Sequence, residues 1–377
     1  MGDDILKEDN MKKNHIKKSI CLAMVMILAF STLVGCGSKD TPAAPSTSQP
    51  AAASSGAQTV DYGPELHLQM GSTGATDDIS TKAAQYFCDL VKERSGGVIT
   101  IDLFPASQLG AQLDQMEMLS QGSIDLFLEA NLMGSFGINT GAMSVLFCTR
   151  NRDELAAVLN SDLYANWSNK FTEETNIKIV ANNWFRNGTA IASKNKIETL
   201  EDCTGVKLRV PPVASTTAMF NSLGFNATPV AYSETLISLQ QSVIDAVWCT
   251  EDAIWTMGFY EPANYVLELN AGADDMYVYM NNDLYESKLT DAQRELIIQA
   301  ANDAGDYYSG LTYETLENNK ANWESKGVQT ITLSEEEAEK WAEVTFAHAY
   351  QQEADGVWDA GLFDQVLAIV EASRAGK

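Results

Sequence analysis

Histidine is almost absent from this chain, with three in 377 residues. That leaves little room for a histidine-built metal site. Positive charge is scarce as well. Lys plus Arg total 25 against 51 Asp plus Glu, a formal net charge of -26. Phosphate affinity is built from Lys and Arg, so this balance weighs against nucleic acid as a partner. Six cysteines include no CxxC pair, and zinc-ligand spacing is missing. No HExxH, no GxSxG and no glycine-rich phosphate loop occurs. The apolar run near the start, Ile20–Val34, is shorter than the ~20 residues of a spanning helix.

What remains is an ordinary globular composition, 45% hydrophobic and 20% charged. A chain of this length suggests two domains with a real core. Its beginning reads as an address. Lys12, Lys13, Lys17 and Lys18 precede the apolar run, the order of a secretory signal. The acidic Met1–Asn10 stretch fits no signal, so Met11 is the expected start. The run closes on Leu33-Val34-Gly35-Cys36, which resembles the lipobox of bacterial lipoproteins. That resemblance implies lipidation at Cys36 and residues 1–36 as a lipoprotein signal peptide. The competing reading is an uncleaved membrane anchor. Residues 37–60, rich in Pro, Ala and Ser, read as a disordered tether. Cys88, Cys148, Cys203 and Cys249 follow. Export permits disulfides, and four cysteines allow three pairings. Small buried thiols are the simpler reading.

Strands and helices then alternate. Glu65–Gly71, Val98–Phe104 and Ile124–Leu128 read as strands, with helices at Thr81–Arg94 and Leu113–Leu119 between them. Such an order predicts a parallel sheet with crossover helices. A second unit repeats the logic. Ile177–Trp184, Gly205–Val210, Ala227–Pro229 and Val243–Trp248 read as strands, and Ser215–Leu223 and Glu234–Gln241 as helices. From Thr290 to about Lys326 the spacing is helical throughout, long enough to brace two domains. Thr290 with Gln293 forms a capping-box pattern, and Gly305 and Gly310 are expected to kink the helix. Gln329–Thr332 follows as a strand, and Ser334 with Glu337 marks the start of another helix.

The chain has seven arginines, and two sit where ligands meet α/β sheets, at carboxyl ends of strands. Arg186 closes the strand at Trp184-Phe185-Arg186-Asn187-Gly188. Arg209 sits in GVKLRVP, where Val206, Leu208 and Val210 face one side and Lys207 and Arg209 the other. A guanidinium in such a place holds a carboxylate through two parallel hydrogen bonds. A solvated surface arginine is the plainer alternative for each.

Gly205-Val206-Lys207-Leu208-Arg209-Val210-Pro211 resembles the signature of TRAP-transporter substrate-binding proteins, the DctP-like family. Phe185-Arg186-Asn187 lies upstream as that family's GFR element does. Leu223–Val230, Glu234–Ala246, Ser95-Gly96-Gly97, Gln108-Leu109-Gly110 and Gln121–Asp125 resemble further family segments in the right order. The similarity runs over roughly residues 65 to 350.

The resemblance implies two α/β domains around a ligand cleft, of periplasmic-binding-protein type, braced by a long C-terminal helix. Expected bounds are 61–185 plus about 275–314 for one domain, and 186–274 plus about 315–377 for the other. Arg209 takes the family's carboxylate-holding role and Arg186 that of the second ligand-facing arginine. The expected ligand-binding set is Arg209, Arg186, Trp248, Cys249, Glu129, Asn131 and Ser72. Cys249 departs from a common asparagine, and Trp248 offers either an aromatic face or a core ring. The implied function is an extracytoplasmic, lipid-anchored, monomeric receptor that delivers a small organic or sugar acid to an ion-gradient-driven permease. It has no catalytic residue, cofactor, metal or nucleic-acid partner. The acidic surface does not forbid an anion, because charges beyond ~8 Å are screened and two local arginines outweigh them. An ABC-type solute-binding lipoprotein and a receptor for a sensor kinase are the alternatives. A lipid-anchored hydrolase is the weakest of them.

Overall fold

The computed structural model describes residues 60–186 and 188–375. The signal-like segment, Cys36 and nearly all of the tether lie outside the described residues. A first run of elements comprises β1 (Leu66–Ser72), α1 (Ile79–Arg94), β2 (Ile99–Phe104), α2 (Gln112–Ser120), β3 (Leu126–Ala130), α3 (Arg152–Leu159), α4 (Asp162–Thr175) and β4 (Ile177–Arg186). A second comprises β5 (Thr189–Ser193), β6 (Lys207–Val210), α5 (Ala214–Ser222), β7 (Asn226–Pro229), α6 (Thr235–Gln240), β8 (Ala246–Thr250), α7 (Glu251–Thr256) and β9 (Tyr265–Glu268). The chain then adds β10 (Asp274–Asn281), α8 (Asn282–Ser287), α9 (Asp291–Ser325), β11 (Gln329–Thr332), α10 (Glu335–Ala354) and α11 (Leu362–Ala375).

Two sheets result, one in each α/β lobe. The first has the order β2-β1-β3-β10-β4, the second β11-β9-β5-β8-β6-β7. Strands joined by helices pair in parallel, as β1 does with β2 and β3, and β6 with β7 and β8. Two strands depart from the expected parallel arrangement. β10 is antiparallel to β3 and β4, and β5 is antiparallel to β8 and β9. Both are reached by short crossings from the other sheet, β4 to β5 and β9 to β10. No helix turns them back, so they enter in the opposite sense. Gly272 lies in the second crossing at φ +120°, and a Cβ there would meet the Thr149 carbonyl oxygen at 2.4 Å.

Local sequence explains the helix ends. Asp78 caps α1 by accepting from the Ser80 backbone N–H at 2.7 Å. The Thr290–Gln293 box forms in both directions, at 2.9 and 3.3 Å. At Ser334 only half forms. Its hydroxyl accepts from Glu337 N–H, while the Glu337 carboxylate turns to Lys340 and to the Leu200 N–H.

α9 spans both lobes. Ile297, Ala300, Ala301, Ala304 and Tyr308 are buried in the core of the first sheet, and Trp323 in that of the second. It runs as one helix over 35 residues through Gly305 and Gly310, so neither glycine breaks it. Gly305 serves close approach instead. A Cβ there would lie 2.3 Å from Asn183 Oδ1 and 2.7 Å from Trp184 Cδ1. The contact is tied down by Trp184 Nε1, which donates to the Ala301 carbonyl at 3.0 Å, and by Ser309 Oγ, which accepts from Phe185 N–H at 3.0 Å. α11 falls within the stretch expected of the second domain, yet its Phe363, Val366 and Val370 are buried in one cluster with Leu155 and Val158 of α3. All four cysteines among the described residues are free thiols. Among the described residues no helix is long and apolar enough to cross a membrane.

Candidate functional site

Between the two sheets lies a cavity of about 140 Å³. A water needs roughly 10–15 Å³ of such space, so it holds on the order of ten waters or one small organic molecule. The carboxyl ends of four strands supply its walls. They are Thr73 after β1, Glu129 and Ala130 on β3, Arg209 on β6, and Cys249 with Thr250 on β8. Helices α1, α2, α5 and α7 begin at the same place, at Asp78, Gln112, Val213 and Thr250.

Arg209 is the best-defined group. β6 alternates as its sequence predicts, with Leu208 and Val210 in the apolar core and Arg209 turned to the cavity. It is no solvated surface arginine, being only 3% exposed. Its Nε donates to the Val230 carbonyl at 3.0 Å, and its guanidinium carbon lies 5.7 Å from the centre of the Tyr232 ring. Its Nη2 is buried without a partner. Burial pushes its pKa down, and the like charge of Arg186 pushes the same way. The side chain stays cationic, because arginine does not deprotonate in proteins.

Arg186 is differently held. Its Nη2 donates to Asp274 Oδ2 at 2.5 Å, a partner 88 residues away that opens β10. Burial opposes its charge, but Asp274, with Tyr308, Cys249 and Asp252 adding to it, outweighs that and drives its pKa upward. Its Nε has no partner.

Six of the seven expected ligand-binding residues, Arg209, Arg186, Trp248, Cys249, Glu129 and Asn131, come together on this cavity. Ser72 does not. It is wholly buried, its hydroxyl accepts from Gly74 N–H at 3.3 Å, and Thr73 and Gly74 form the wall beside it. Trp248 packs as a core ring and also lines the cavity. Its ring packs 5.2 Å from Phe220 at a tilt, while its Nε1 is buried unpartnered on the cavity wall. The Cys249 thiol is pushed up to about 11 by burial, against the pull of both arginines, and stays protonated. Asn131 Oδ1 accepts from Met133 N–H at 3.1 Å.

Sequence reasoning missed the acidic half of the wall. Asp78, Asp252, Asp274 and Asp275 all line the cavity with Glu129. Part of the chain's acidity therefore lies beside the two arginines and not only on the surface. Glu129 accepts from the Thr73 hydroxyl and from Ala130 N–H. Asp252 is pushed up to about 6 by burial and then by Asp78, and Asp275 to about 7 by burial and then by Asp274. A signal existed for Asp78, which stands where a helix cap belongs. Nothing local marks the others.

The model of the bacterial extracellular solute-binding proteins, family 7 (DctP), matches residues 70–354. The chain belongs to that family. Family 7 members are binding proteins, and the DctP-like resemblance read from the sequence is the family found. Among curated relatives, a solute-binding protein of Roseobacter denitrificans is 24% identical over 84% of this chain and 93% of its own length. The sialic acid-binding periplasmic protein SiaP of Vibrio cholerae is 26% identical over 64% of this chain and 75% of its own. Among solved structures, the sugar acid binding protein DctPAm of Advenella mimigardefordensis, in complex with galactonate, superposes with a TM-score of 0.77 at 21% identity. The superposition covers 83% of this chain and 100% of that one. This likeness shows the shared fold of two α/β domains.

Proposed function

We propose that this family 7 protein is an extracytoplasmic receptor that captures a small carboxylate-bearing organic acid and hands it to a TRAP-type permease. One observation carries the reading of the site: a buried guanidinium, Arg209, with Nη2 unpartnered on a cavity at the carboxyl ends of parallel strands. An unmet donor on a cation calls for an acceptor anion. Relatives named for sialic acid and 2,3-diketo-L-gulonate binding support a carboxylate ligand. The ligand leaves unchanged. Lipidation at Cys36 holds the protein at the outer face of the membrane, with 37–60 as its tether. The bodies that close are 61–185 with about 275–314, and 186–274 with about 315–377, with α11 packed on the first.

Calorimetric titration tests the clamp, after a thermal-shift screen of organic and sugar acids has found a ligand. Arg209→Ala loses roughly 2–5 kcal/mol of binding, more than tenfold in affinity. Arg209→Lys keeps the charge and loses the planar fork, so it also binds more weakly. Unchanged affinity in Arg209→Ala with a normal melting curve removes the carboxylate clamp.

A further inference from the structure

The cavity carries more negative charge than a receptor for a simple anion needs. Arg186 and Asp274 neutralise each other at 2.5 Å. One cation, Arg209, is then left without an acid ion-pair partner on a wall that also carries Asp78, Glu129 and Asp252, each no more than 6% exposed and none in an ion pair with Lys or Arg among the described residues, with Arg186 as the cation nearer in effect to Asp252. No lysine lines the wall. Asp78 and Asp252 approach from opposite lobes. Thr256 Oγ1 lies 3.0 Å from Asp78 Oδ2 and 2.9 Å from the Asp252 carbonyl oxygen, so its one proton is shared between them. A second and independent sign of an absent donor is Gln112. It is 4% exposed, lines the same cavity from the start of α2, and its Oε1 is buried without a partner. A ligand carboxylate alone meets Arg209 and adds a further negative charge to this enclosure. Buried charges are tolerated when paired.

We propose that the natural ligand is an amino carboxylate, whose carboxylate meets Arg209 and whose ammonium is held by Asp252 and Asp78 with Gln112 Oε1 as a further acceptor. The proposal rests on the carboxylate reading of Arg209 and narrows it to a class. An ammonium supplies three donors and one positive charge. A hydroxyl supplies a donor but leaves the unpaired carboxylates uncompensated, which is why an amine is favoured over a sugar acid's hydroxyl row. Burial and Asp78 already hold Asp252 up to about 6, the expected state of a carboxylate waiting for a cation.

The test is a matched titration of the full protein. Each α- or ω-amino acid is paired with its deaminated and its hydroxylated analogue, and galactonate and gulonate are included. An aminated member binding at least tenfold more tightly than both its analogues is the expected result. Asp252→Asn then brings that ratio towards one while the unaminated acids keep or gain affinity. Equal or tighter binding of the unaminated or sugar acids overturns the amino-carboxylate assignment and leaves the acid receptor standing. If no carboxylate of any kind binds a normally melting protein, the receptor reading of Arg209 falls, and this assignment with it. Asp78→Asn, which keeps a capping side chain at the start of α1, is the second variant should Asp252→Asn melt abnormally. Retention of the full amine preference in a well-folded Asp78→Asn together with Gln112→Leu also overturns it.

Discussion

At the residue scale, one buried acid gives the molecule a pH dependence that the composition hides. Asp275 is 3% exposed and accepts from the Tyr277 hydroxyl at 2.5 Å. Burial first, and Asp274 second, raise it to about 7, against Tyr277 and Arg186, which pull it down. The folded state therefore holds a proton that the unfolded chain releases near pH 4. Between those values the folded state binds more protons, so stability falls as pH rises towards 7. The ligand-free protein should melt higher at pH 5.5 than at pH 7.5, and Asp275→Asn should flatten that slope and raise the melting temperature at pH 7.5. A slope unchanged by the substitution counts against a buried protonated Asp275. Asp252, held up to about 6, adds to the slope in the same direction. None of this was legible in the sequence, whereas Arg209 was. The alternation in GVKLRVP assigns Arg209 a face, and the strand end assigns that face a cavity. Asp274 reaches Arg186 across 88 residues, and no local pattern encodes such a meeting.

At the scale of elements, the strands delivered by helices were readable with the exception of β9, and those delivered by crossings were not. β1, β2, β6 and β11 announce themselves by apolar alternation or β-branched residues. β5 and β10 are buried on both faces, so their sequences TAIAS and DDMYVYMN carry no period of two. α9 was legible in length and cap, but the reason for its glycines was not. Gly305→Ala gains helix propensity of about 1 kcal/mol, yet its Cβ enters Asn183 and the wholly buried Trp184. Overpacking of that kind costs roughly 1–3 kcal/mol, so the net change is destabilising. Gly310→Ala has nothing within 4 Å and sits on the exposed face. It should stabilise by roughly 0.5–1 kcal/mol. Chemical denaturation of the two variants gives opposite signs if Gly305 is there for close approach. Two shifts of the same sign speak for a flexible helix instead.

At the scale of the whole molecule, the lobes meet over the cavity through a few polar contacts and through Val213, which is buried in one cluster with Leu132 and Met133 of the first lobe. Thr256 Oγ1 from α7 reaches Asp78 Oδ2 at the cap of α1 at 3.0 Å, and Ser135 Oγ donates to the Pro212 carbonyl at 2.9 Å. Both pairs join the first lobe to the second over the cavity. The two short crossings and α9 are the connections about which such lobes rotate. Closure of two such lobes is a population that ligand contacts to both sides increase. Without ligand, water replaces the hydroxyl at Asp78 at little cost, so the open form is accessible. Solution scattering should therefore give a larger radius of gyration for the free protein and a smaller one at saturating ligand. Thr256→Val keeps the shape of the side chain and removes the bridge. It should lower ligand affinity by about 1 kcal/mol, near fivefold, because a hydrogen bond is worth that much net. The direct contacts of Arg209 are untouched by that change, so the loss should appear as a larger free-state radius and a faster release. An identical scattering profile with and without ligand, in a protein that demonstrably binds, would leave a rigid pocket and no closing receptor.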